Sequence, residues 1–305
     1  MQNGYNVSLR IWIGVCSTIN RNGLLKEFKS YLSGSALAPA TIVNYSADLR
    51  AFLRWSEKTR DASCSPLSLE PSDIQDFCSY LREEKGHTPS TVNRRLQALR
   101  KFYTLAVEQG WAETNPAEDV PLLDEHVSDR SRSLTQEDID RLLDVVRQTN
   151  SRQAARDLAV IQLLLGAGLK LSELTDLRLA DLHLDSGQPC LEIRSASVDS
   201  SRTVFLEDEV YDTLQRYLPA RKAAPGVEHV CVNRDGNPLS TRSVQRLLRH
   251  YAQAAGLDGL TTQALRYVYA RKVYESSGDL KTVARYLGHR HLATTIRYLR
   301  PISEE

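Results

Sequence analysis

The side chains best suited to chemistry on a charged substrate crowd the end of the chain. Between Ala264 and Arg300 stand Arg266, Arg271, Lys272, Lys281, Arg285, Arg290, Arg297 and Arg300, against two acids, Glu275 and Asp279. Tyr267, Tyr269, Tyr274, Tyr286 and Tyr298 are interleaved with them. Cations with aromatic neighbours suit phosphate contacts along DNA; the plainer reading is a solvated charged helix face. A second stretch, GAGLKLSEL from Gly166 to Leu174, sets one cation, Lys170, between an apolar run and an amphipathic one. Its glycines open a G-x-G-x-x-G dinucleotide loop, but Leu171 stands where a small residue is needed, and the preceding DLAVIQLLL reads as helix as readily as strand. His289 and His291 make a poor metal pair, since no carboxylate or cysteine accompanies them.

Composition narrows the classes. The 305 residues suffice for two domains with a core in each. Net charge is +1 with a quarter of the residues charged, which excludes a uniformly basic nucleic-acid coat and leaves local clusters to do any binding. The five cysteines (Cys16, Cys64, Cys78, Cys190 and Cys231) are odd in number and form no C-x-x-C pair, which fits reduced thiols in a cytoplasm. No run reaches the length of a membrane span, and IWIGVC is too short for a signal-peptide core.

The elements that must position these residues fall into two groups. Residues 1–22 read as a lead-in, and residues 23–120 as a small helical bundle. Ile42, Tyr45, Leu49, Phe52 and Leu53 share one helical face, as do Ile74, Phe77, Tyr80 and Leu81. In TPST, Thr88 suits an N-cap and Pro89 the first helical position. The following stripe of Val92, Leu96, Leu99, Tyr103 and Ala106 leaves Arg94 and Lys101 on the opposite, exposed side. NPAEDVPLLDEHVSDRSRSL, Asn115 to Leu134, breaks the periodicity and reads as an extended linker, centred on 121–133. A second domain, 134–305, opens with a capping box of Thr135 and Asp138. Two helices flank GAGLKLSEL, and CLEIRSASVDSSRTVFL reads as a hairpin around a polar turn.

The stretch ALRYVYARKVYESSGDLKTVARYLGHRHLATTIRYLRP resembles the C-terminal signature of the tyrosine recombinases, the Xer and phage-integrase family. That signature is an H-x-x-R helix, a Leu-Gly-His turn, and a nucleophilic tyrosine nine residues after the His. Here the frame is Gln263 to Arg266, then Leu287-Gly288-His289, then Tyr298; the steps from Arg266 to His289 and from His289 to Tyr298 are 23 and nine residues. GLKLSEL falls on the family's G-L-R-x-S-E-L, and RTVFL on the strand after its hairpin lysine. The resemblance spans roughly residues 24 to 300. It implies a mainly α fold: an α-helical SAM-like core-binding domain and a helical catalytic domain with a small antiparallel β-sheet, together a C-shaped clamp on duplex DNA. It implies metal-free, cofactor-free transesterification at phosphorus, with other protomers or a related recombinase on the DNA as partners.

By that resemblance the catalytic positions are Lys170, Gln263, Arg266, His289 and Tyr298. Three of six are substituted. Lys170 replaces an arginine and loses the bidentate fork. Gln263 replaces a histidine and cannot shuttle a proton. The hairpin lysine, due near Ala196 and Ser197, is missing, and no lysine lies between Lys170 and Lys222. Arg194 or Arg202 could reach in, but guanidinium is a poor acid, with a pKa above about 12. DNA contacts are expected from Arg94, Lys101, Arg194, Arg202, Arg271, Lys272 and Arg290. Seven residues follow Tyr298, too few for the family's usual C-terminal docking helix. These departures set a weak recombinase against an inactive DNA-binding relative.

Overall fold

Asn20 accepts the Gly23 N–H at 2.9 Å and starts helix α1, Arg21–Gly34. In the computed structural model, which describes residues 20–59, 65–124, 134–185, 187–194 and 201–299, three further helices follow among the described residues of the first unit. They are α2 (Pro39–Thr59), α3 (Pro71–Glu83) and α4 (Pro89–Glu108). Thr88 caps α4 by accepting the Thr91 N–H, and Pro89 takes the first position, where a missing N–H costs nothing. All five residues of the expected α4 stripe are buried. So are Asn93, Ala98, Phe102 and Leu105, because α4 is the helix around which the others pack. Phe28 meets Phe102 edge-on at 5.7 Å, and Phe52 meets Phe77 at 5.1 Å, geometries that add to simple burial.

The segment after α4 departs from the expected extended linker. Ala117 and Val120 are buried in the bundle core. Arg100 donates to the carbonyls of Ala117 and Val120, while Asn93 exchanges two hydrogen bonds of 2.8 Å with the backbone of Leu123. Short apolar residues between prolines hide no period, yet they cover the open side of α4. The rest of the expected linker, 125–133, lies outside the described residues, as do 1–19 of the lead-in.

The chain divides into two units, Met1–Ser128 and Asp129–Glu305. In the second, the Thr135–Asp138 capping box starts α5, Gln136–Gln148, with both reciprocal bonds made. DLAVIQLLL lies in α6, Ala154–Gly166, whose Ala159, Val160, Ile161, Leu163 and Leu164 are fully buried. A helix here removes the strand that a dinucleotide loop requires. Short α7 (Leu171–Asp176) and a 3-10 turn (Leu179–Asp181) lead into an antiparallel sheet in the order β1 (Leu182–His183), β2 (Cys190–Ile193), β3 (Arg202–Phe205). The expected hairpin is β2–β3, with Ile193 opposite Arg202; β1 is too short to carry a readable alternation. The hairpin turn, 195–200, is outside the described residues. Five helices follow: α8 (Asp208–Ala220), α9 (Thr241–Ala254), α10 (Thr262–Ser277), α11 (Leu280–Leu287) and α12 (Leu292–Leu299).

Candidate active site

Arg266 is the centre. Thr261 caps α10 by accepting the Ala264 N–H at 3.1 Å, and that start sets Gln263 and Arg266 one turn apart on the helix. Arg266 is 1% exposed. Its Nη1 donates to the Gly168 carbonyl and its Nη2 to the Leu287 carbonyl, so it ties the α6–α7 turn to the end of α11. Gly168 is indispensable to this turn. Its φ is +57°, and a Cβ there would stand 2.1 Å from the Tyr269 ring. A buried guanidinium also requires a counter-charge.

Glu173 supplies it. As the third residue of α7 it accepts the Lys170 N–H at 2.8 Å, the capping arrangement an acid favours in a first helical turn. Its carboxylate takes both arms of Arg202, at 3.0 and 2.8 Å. Arg266 Nη1 lies 3.7 Å from Oε2 and Lys170 Nζ 3.5 Å from Oε1. Burial opposes the charge on Glu173, but the hydrogen bonds and positive charge of Arg202, with help from Lys170, outweigh it and hold the carboxyl down to about 2. Three cations on one carboxylate leave this cluster net positive, the balance a phosphodiester anion would meet.

His289 follows Gly288, which ends α11 at φ +66°. A Cβ on Gly288 would stand 3.0 Å from Arg202 Nη1, so the turn also needs glycine for closeness. The His289 Nδ1 is 3.0 Å from Thr295 Oγ1, and Nε2 is 3.5 Å from Arg266 Nη2. Burial, then the positive charges of Arg266, Lys170 and Arg202, push the imidazole down to about 4, so it is neutral at physiological pH. Since the guanidinium only donates, the proton belongs on Nδ1, facing Thr295.

Tyr298 closes the site from α12. Its hydroxyl oxygen accepts from Gln263 Nε2. Its ring meets Tyr267 and His289 edge-on at 4.5 and 4.7 Å. Lys170, Gln263, Arg266, His289 and Tyr298 thus gather in one unit, from α7, α10, the end of α11 and α12. Glu173 and Thr295 belong with them and were not singled out from the sequence, whereas Tyr267 is one of the interleaved tyrosines. The signal for Glu173 was present: an acid three residues after Lys170 sits where a helix start favours one. Thr295 carried no signal.

The expected DNA-contacting cations divide. Arg202 is 8% exposed, with Nε on the Tyr286 carbonyl and both arms on Glu173, so it supports the site from within and is no surface contact. Arg194 is exposed, pairs with Asp181 at 2.7 Å, and lines one hollow with Lys170 and Glu173. Arg271, Lys272 and Arg290 are exposed, with Lys272 paired to Glu207. Arg94 and Lys101 are half-buried rather than exposed, because α4 is covered on several sides; Arg94 is paired to the buried Asp48. Among the described residues no three His, Cys, Asp or Glu side chains converge as a metal cluster would.

A helical bundle followed by a helical unit with a small sheet, holding arginine, histidine and tyrosine around one charged cluster, defines a tyrosine recombinase. The model of the phage integrase family matches residues 132–305, and that of the phage integrase N-terminal SAM-like domain matches 24–113. The chain belongs to the phage integrase family. Tyrosine recombinase XerA of Thermococcus kodakarensis is 30% identical over 280 residues, 91% of this chain and 90% of that protein. Tyrosine recombinase XerC of Salmonella typhi is 30% identical over 266 residues, covering 86% and 85%. Among solved structures, the Tn1549 transposon integrase in complex with a circular intermediate DNA shares the fold at TM-score 0.74, with 19% identity over 92% of this chain and 95% of that one. So does XerH recombinase bound to its palindromic difH substrate, at TM-score 0.74 and 18% identity, covering 95% and 85%.

Proposed function

We propose that the protein is a site-specific DNA recombinase of the tyrosine type, which binds duplex DNA and exchanges strands through a 3′-phosphotyrosyl intermediate on Tyr298. The observation that carries this reading is the meeting of Arg266, His289 and Tyr298 beside a net positive cluster in one unit of one chain. In the cleavage step the Tyr298 oxygen bonds to phosphorus and the bond to the 5′ oxygen breaks. Charge grows on the non-bridging oxygens, where fixed cationic donors lower the barrier most. Arg266 is fixed by two carbonyls and a carboxylate, which hold its positive charge in place beside the Tyr298 ring. Neutral His289 keeps its N–H on Nδ1 against Thr295 and braces Arg266 through Nε2, and Gln263 orients the phenol oxygen without accepting its proton.

The DNA partner implies a cytoplasmic location, and the family implies further protomers on the same site. Among the described residues no helix is long and apolar enough to cross a membrane. The test is a nicked suicide substrate, from which the cleaved fragment diffuses away, followed by a denaturing gel. A protein–DNA adduct that disappears in Tyr298→Phe supports the recombinase. Tight DNA binding with no adduct at all leaves an inactive DNA-binding relative.

A further inference from the structure

Departure of the 5′ oxygen requires a proton, because an alkoxide leaves poorly at neutral pH. The side chains of the site offer few donors. Arg202 and Arg266 are guanidiniums, which keep their protons throughout the physiological range. His289 carries no spare proton, since burial and its cationic neighbours hold it neutral. Gln263 has no titratable proton. Residues 195–200 are serine, alanine, valine and aspartate by sequence, and no lysine occurs from Leu171 to Arg221. Among the described residues of this cluster one ammonium remains. Lys170 Nζ stands 3.5 Å from the same carboxylate that Arg266 approaches at 3.7 Å, so the ammonium and the phosphate-binding guanidinium share one counter-ion. The Lys170 side chain is 48% exposed and able to swing on its four-carbon stem.

We propose that Lys170 is the general acid of strand cleavage, a role that rests on the recombinase reading above. As the Tyr298 oxygen bonds to phosphorus and the phosphorus–O5′ bond breaks, Lys170 Nζ passes a proton to O5′. The products are a 5′ hydroxyl, a neutral amine and the phosphotyrosyl ester; the phenolic proton passes to solvent. In the rejoining step the 5′ oxygen bonds to phosphorus as the bond from phosphorus to the Tyr298 oxygen breaks; the amine takes the proton of the attacking 5′ hydroxyl and returns to ammonium, and the Tyr298 oxygen regains its proton from solvent. The substitution at 170 and the missing hairpin lysine are then one change: the proton donor has moved from the hairpin to the start of α7.

The test compares Lys170→Arg with wild type on two nicked duplexes that differ at one atom, a 5′-bridging oxygen or a 5′-bridging sulfur. A thiolate leaves without protonation, so the sulfur substrate does not need the acid. Lys170→Arg keeps the charge and should lower adduct formation on oxygen by about a hundredfold or more, while the sulfur substrate reacts within a few-fold of wild type. An arginine variant that cleaves the oxygen substrate as fast as wild type, or faster, overturns the proposal. So does a deficit equally large on sulfur, or a wild type that reacts only on sulfur; in both cases the recombinase reading survives. No adduct from wild type on either substrate removes that reading and this role with it. Unchanged DNA affinity and circular dichroism exclude misfolding of the variant.

Discussion

Arg202 on β3 and Glu173 on α7 are joined by two hydrogen bonds, one to each carboxylate oxygen, at 3.0 and 2.8 Å. Both side chains are at least nine-tenths buried, so neither charge has water as an alternative partner. The pair fastens the sheet to the helix start that carries Lys170, and Arg202 Nε reaches on to the Tyr286 carbonyl in α11. Removing Arg202 leaves Glu173 buried with only Lys170 and Arg266 near it, at 3.5 and 3.7 Å and without the two hydrogen bonds from Arg202, and breaking a buried pair typically costs about 3–5 kcal/mol. Arg202→Ala should therefore destabilise the second unit by that amount in a urea titration. A loss under about 1 kcal/mol would show the pair to be incidental.

The same pair makes stability depend on acid. The Glu173 carboxyl is held near 2, below its ordinary 4.5. A lowered folded-state value means the contribution is complete above about pH 5, shrinks as pH falls and is gone below about 2. The shift corresponds to roughly 3 kcal/mol at neutral pH. In Glu173→Gln this part of the acid dependence should vanish. Denaturation midpoints of variant and wild type, measured from pH 7 to pH 2.5, should converge as pH falls.

Thr295 is the only buried residue of α12 among those described, and its partner is His289 Nδ1. Three residues on, the same helix carries Tyr298. Thr295→Val removes the acceptor of the His289 Nδ1–H and should slow adduct formation by about tenfold, whereas Thr295→Ser should restore the rate. Nitrogen-15 shifts of His289 read the tautomer directly. The Nδ1–H form should persist in the valine variant, because Arg266 still faces Nε2, and its loss would contradict the assignment.

DNA affinity should fall steeply with salt. Arg271 and Arg290 are exposed on the second unit, and several neutralised phosphates imply a loss of roughly a thousandfold between about 50 and 200 mM salt. Arg202→Ala is expected to leave the slope alone, because that guanidinium is inside. A flat salt response measured by fluorescence anisotropy is incompatible with phosphate clamping.

The first unit should need its chain as far as Leu123. A fragment ending at Thr114 loses burial of Ala117 and Val120 and both carbonyl partners of Arg100, a deficit of about 2–4 kcal/mol against a fragment ending at Asp124. Equal thermal midpoints for the two fragments would return residues 115–124 to the linker.

Local rules were legible in the sequence wherever a short stretch carried the whole cause. The caps at Thr88 and Thr135 bond within three residues, and the α4 stripe repeats at helical spacing, so one window of chain contains them. The Arg266–His289–Tyr298 spacing was equally readable, because a family frame fixes it along the chain. What only the tertiary structure decided is which charges are spent inside. Arg202 and Arg194 are the same residue type on either side of one hairpin turn. One lies against Glu173, 29 residues away in sequence, and the other stays exposed beside Asp181. Likewise Thr295 looks like any helical threonine until His289 folds against it, and Ala117 and Val120 look like linker until α4 presents a side to cover. Burial and counter-charge depend on neighbours distant in the chain, and no local pattern encodes them.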